Sequence, residues 1–75
     1  MNKEKLYEIV KQDFINRHGD YEVLGEPEEI IDFMAMAKEC VGRTNNFKSF
    51  TEWLLHLGLT DEDITWLYIE INKVH

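Results

Sequence analysis

The sequence predicts an all-α protein, a compact small bundle of about four helices with a helix-turn-helix-like corner at Gly58. Three observations lead there. Apolar residues recur at helical spacing in four separate segments; Gly19, Gly42 and Gly58 stand where three of those segments stop; and no alternating apolar and polar run is long enough to build a sheet. The 75 residues, 44% hydrophobic and 31% charged, are too few to divide and fit one globular domain over 1–75.

The first helix is expected from about Lys3 to His18. Leu6, Ile9, Val10 and Phe14 make its stripe, with Tyr7 at the edge. Arg17 and His18 suit the negative end of the helix dipole, and Gly19 can take the left-handed stop. Asp20 to Glu26 is the one long connection, where Tyr21 and Val23 alternate with Glu22 and suggest a brief extended segment. Pro27 opens the second helix, because its missing amide would be unpaired there anyway. Ile30, Phe33, Met34, Ala37, Cys40 and Val41 form the main stripe of that helix. Ile31, Ala35 and Met36 widen it, so this helix should be the most buried, and Gly42 should end it.

Thr44-Asn45-Asn46 reads as a turn. The third helix starts near Phe47 or at Ser49, where Ser49 and Glu52 have the spacing of a capping box. Phe50, Trp53, Leu54 and Leu57 supply its core face, and Gly58 ends it with Leu59 placed to fold back on Leu54. Thr60 caps the fourth helix with Asp63 as the reciprocal arm, and Leu59 and Ile64 are spaced as a hydrophobic staple. Ile64, Leu67, Tyr68, Ile71 and Val74 then share one face.

Trp53, Leu57, Gly58, Leu59, Ile64 and Leu67 meet the offsets of a DNA-binding helix-turn-helix, although Leu54 is large where a small residue is usual. The chemistry opposes DNA reading. The second helix would offer the bases Thr60, Asp61, Glu62, Asp63, Thr65 and Trp66, with no basic side chain before Lys73.

The net charge of −7 is unevenly placed. Residues 20–42 carry −6 through Asp20, Glu22, Glu26, Glu28, Glu29, Asp32 and Glu39 against Lys38, and Asp61, Glu62 and Asp63 form a second knot. Such a surface gains no counterion release from phosphate backbones and is repelled by anionic membranes. Capping and helix dipoles account for much of this acid, but Asp20 and Glu22 have no helix start to serve. The nine carboxylates Asp20, Glu22, Glu26, Glu28, Glu29, Asp32, Asp61, Glu62 and Asp63 are therefore the candidate face for a protein partner with a basic surface.

No metal site, cofactor site or catalytic centre is expected. Asp61-x-Asp63-x-Thr65 lacks the glycine and glutamate of a calcium loop, having Trp66 and Asn72 instead. His18, His56 and His75 are far apart, and Cys40, the only cysteine, reads as a buried structural thiol. There is no phosphate loop and no nucleophile motif. A single cysteine, no signal peptide and no apolar run of membrane-spanning length suggest a cytoplasmic protein.

Helix four carries an apolar surplus. With its core face centred between Ile71 and Ile64, Trp66 and Ile69 should point the opposite way, as anchors for a partner or a homodimer. Two functions fit. One is a small acidic inhibitor that occupies a nucleic-acid site on a basic protein as a DNA mimic, a habit of phage and mobile-element proteins. The other is a helix-turn-helix-like regulatory or assembly subunit that homodimerises through helix four.

Overall fold

The first helix begins with a cap that sequence reading passed over. Asn2 accepts a hydrogen bond from the Lys5 N–H at 2.8 Å, and α1 then runs Lys3–His18 to a left-handed Gly19 (φ 83°) whose N–H bonds to the Ile15 carbonyl. The computed structural model describes residues 1–40 and 47–74. Among the described residues there are four α-helices and no strand: α1, α2 (Ile30–Glu39), α3 (Phe50–His56) and α4 (Asp61–Val74). The expected Thr44-Asn45-Asn46 turn, the Gly42 stop and the place of Val41 in the second stripe fall outside the described residues.

Between α1 and α2 the chain makes two tight 3₁₀ turns, Glu22–Leu24 and Pro27–Glu29. The first replaces the extended segment expected at Tyr21 to Val23. Leu24, donating to the Tyr21 carbonyl at 3.0 Å, turns inward and is buried, which a straight segment would not allow. Gly25 follows at φ 70°, and its carbonyl accepts a 2.8 Å hydrogen bond from the Tyr7 hydroxyl. Burial pushes the Tyr7 phenol above its ordinary pKa, so it stays a donor at neutral pH and pins the loop to α1. Pro27 does open the second helical segment, but its first turn is 3₁₀ and α2 proper begins at Ile30.

The corner at Gly58 forms as its residues dictate. Gly58 (φ 90°) donates to the Leu55 carbonyl at 3.0 Å and Leu59 to the Leu54 carbonyl at 3.2 Å, the two bonds of a Schellman stop. Leu54 and Leu59 are both buried. The Thr60 hydroxyl accepts from the Asp63 N–H at 3.2 Å while the Asp63 carboxylate accepts from the Thr60 N–H at 3.1 Å, so the capping box is complete. At the start of α3 the Ser49 hydroxyl accepts from the Glu52 N–H at 3.1 Å.

One core joins all four helices. Leu6, Val10, Leu24, Ile30, Met34, Trp53, Leu54 and Leu67 are its largest fully enclosed side chains. α2 packs chiefly on α4, and α1 packs on α2 and the Pro27–Glu29 turn. Edge-to-face ring pairs tie the layers, Phe14 with Phe33 at 5.7 Å and Phe50 with Tyr68 at 5.9 Å. Two expected core residues are exposed. Met36 is 46% exposed, because the inner face of α2 centres on Ile30, Met34 and Ala37 and leaves Met36 with Asp32, Ala35 and Glu39 on the outer side. Val74, in the last turn of α4, is 54% exposed. Cys40 is half-buried at the end of α2, not enclosed.

Candidate interaction surface

The ten residues from Asp20 to Glu29 hold five exposed carboxylates, Asp20, Glu22, Glu26, Glu28 and Glu29. Helix-start positions suggested capping for Glu26, Glu28 and Glu29, but Glu26 and Glu29, at the two cap positions, make no side-chain cap hydrogen bond. None of the five makes an ion pair with another described residue. The Lys11 amine sits 4.6 Å from the centre of the Tyr21 ring in that loop. Asp32 is exposed one turn farther on, on the outer side of α2.

The second acidic knot divides. Asp61 and Glu62 are exposed, whereas Asp63 is committed to the fold. Its carboxyl is held below the usual carboxylate range, first by the Thr60 backbone N–H, with help from the Thr60 hydroxyl and the positive N-terminus, whose nitrogen lies 3.8 Å away. No hydrogen bond or ion pair links Asp61, Glu62 or Asp63 to the 20–29 loop. Of the nine predicted carboxylates, Asp63 serves as a cap and the loop holds five of the exposed remainder.

Trp66 does not stand opposite the core. It is half-buried and packed against the hydrophobic cluster. Burial on α4 centres on Leu67, with Ile64 and Ile71 to one side and Asp63 and Glu70 to the other, and at about 100° per residue this brings Trp66 to the flank of the buried face. Ile69 does point outward, 51% exposed. The apolar patch expected on the back of α4 is thus reduced to little more than one isoleucine.

Sequence reading missed a buried carboxylate. Asp13 is 9% exposed between α1 and α3. The Arg17 Nε donates to its Oδ2 at 2.9 Å, and the Trp53 Nε1 reaches the same oxygen at 3.3 Å from 40 residues away. Arg17 Nη2 lies 2.7 Å from Oδ2 as an ion pair but without hydrogen-bond geometry. His56 completes the group, its Nε2 3.8 Å from Asp13 Oδ1 and its ring 4.9 Å from that of Phe47. The i, i+4 spacing of Asp13 and Arg17 was legible; the tryptophan partner was not. The cluster ties α1 to α3.

Compared with known proteins, the chain matches no family model, no curated protein and no solved structure. Among the described residues no three His, Cys, Asp or Glu side chains are grouped to hold a metal ion, and no helix is long and apolar enough to cross a membrane.

Proposed function

We propose that this chain is a small acidic interaction module that acts by contact with a basic protein surface and not by catalysis. One observation carries the reading: five adjacent carboxylates are exposed, unpaired with described residues and unused as caps, on a loop that Tyr7 and Leu24 hold in a fixed shape. Like charges on one short loop repel one another, and Asp20 and Glu22 serve no α-helix start. An incoming Lys- or Arg-rich surface relieves that repulsion and is steered by it. Basic protein surfaces of this kind commonly hold nucleic acid, so an inhibitor that covers such a site as a charge mimic is the most concrete form of the proposal. A phage or mobile-element origin would suit that role.

The test separates folding from binding. Asp20→Asn combined with Glu22→Gln should change stability by less than about 0.5 kcal/mol, as is usual for exposed loop positions. Proteins retained from a lysate by the immobilised wild type should present basic surfaces, and the double variant should retain them poorly. Equal retention by both forms would remove the loop from the binding face.

A further inference from the structure

We infer that residues 20–25 form a flap that opens while the rest of the fold stays intact, latched shut by the Leu24 side chain and the Tyr7 hydroxyl. Across residues 19–26 Leu24 alone is buried, at 2% exposure. A glycine in the left-handed region stands at each end, Gly19 (φ 83°) just before the flap and Gly25 (φ 70°) as its last residue. The backbone hydrogen bonds that shape the segment stay inside it. The Leu24 N–H donates to the Tyr21 carbonyl at 3.0 Å and the Gly25 N–H to the Glu22 carbonyl at 3.2 Å. Among the described residues, the one hydrogen bond from the flap to a helix is that of the Tyr7 hydroxyl to the Gly25 carbonyl, at 2.8 Å. Lys11 adds a cation over the Tyr21 ring, at an exposed site where such contacts are weak.

Segments with few buried apolar groups and an exposed backbone open at lower cost than the helices that carry a core. Here one leucine and one hydroxyl oppose opening, whereas α1, α2 and α4 share the enclosed side chains Leu6, Val10, Met34 and Leu67. Glycine lacks the Cβ that restricts other residues, so both ends of the flap can swing. Opening would have a consequence for the surface. Asp20 and Glu22 ride on the flap, while Glu26, Glu28 and Glu29 stay with the second helical segment, so the five carboxylates part. A ligand that meets all five would hold the latch shut, because it binds the closed arrangement better. The flap itself follows from packing, and it holds whether or not the carboxylates meet a partner.

The experiment is native-state amide hydrogen exchange on the whole chain, read by NMR in urea concentrations below the unfolding transition. The Leu24 and Gly25 amides should exchange together, faster than those of Val10 and Leu67 at the middle of α1 and α4. Their urea dependence should be measurable but well below that of Val10 and Leu67, because opening the flap exposes less surface than unfolding does. Two variants separate the openings. Tyr7→Phe deletes a bond that both the open flap and the unfolded chain lack, so it should speed all four amides, by about twofold to tenfold. Ile71→Val weakens the core beyond the flap, so it should speed Val10 and Leu67 by a similar factor and leave Leu24 and Gly25 unchanged. Exchange of Leu24 and Gly25 that ignores urea would mean that the turns fray with Leu24 still seated, and would overturn the inference. Rates and urea dependence equal to those of Val10 and Leu67, with the same response to Ile71→Val, would mean that the segment opens only with the whole fold. That result would overturn it too, as would Leu24 and Gly25 amides indifferent to Tyr7→Phe.

Discussion

Trp53→Ala should leave the protein barely folded at room temperature. Trp53 is 1% exposed, the largest of the fully enclosed side chains, and it packs with Phe50 at a ring separation of 6.0 Å. Removing a buried ring of this kind costs about 3–5 kcal/mol through lost burial and the cavity left behind. Small domains sit near the lower end of the usual 5–15 kcal/mol, so most of the stability would go. The substitution also takes the Nε1 donor from Asp13, which deepens the loss. Trp53→Phe isolates the two effects, keeping much of the ring while deleting the donor, and should fall between the alanine variant and the wild type. Urea denaturation followed by circular dichroism reads all three. An alanine variant within about 1 kcal/mol of the wild type would mean that the core is not built around this ring.

Asp13→Ala is expected to be the second most damaging change, at about 2–4 kcal/mol. Breaking a buried ion pair by deleting one member costs about 3–5 kcal/mol, because the other charge is left buried and uncompensated. The range is lowered here because Arg17 keeps 26% exposure and can find water. Asp13→Asn can still accept from Trp53 but cannot balance Arg17, so it should cost less than alanine. If Asp13→Ala and the Asp13→Ala, Arg17→Ala pair prove as stable as the wild type, the α1–α3 clamp does not exist. A double-mutant cycle on thermal or urea unfolding makes the comparison.

What was legible in the sequence is what short-range physics decides. The span of α1, the Gly19 stop, the Schellman bonds at Gly58 and the Thr60–Asp63 box all depend on residues within about one helical turn, and each appears where its spacing placed it. What was not legible depends on neighbours distant in the chain. Leu24 is buried because a 3₁₀ turn folds it against helices that the loop's own alternation does not specify. Trp66 lies on the flank of the buried face because α4 rolled toward Leu67 when it packed on α2, a rotation of a few tens of degrees that periodicity in one helix leaves undetermined.

The candidate site divides the same way. The acidity of residues 20–32 was plain from composition, but whether those carboxylates serve as caps was a matter of geometry, and the absence of cap bonds at Glu26 and Glu29 is what sets the loop apart. Asp63 went the other way, from candidate contact to structural cap. Met36, expected to widen the buried stripe of α2, faces outward instead.

The central claim is that the exposed carboxylates of the 20–29 loop bind a basic, nucleic-acid-handling surface. The most direct test measures the affinity of the wild-type chain for its captured partner across a salt series, with and without competing double-stranded DNA. The account predicts that affinity falls as salt rises, that DNA displaces the chain, and that Asp20→Asn with Glu22→Gln flattens the salt dependence. Binding that is indifferent to salt and to DNA would contradict it.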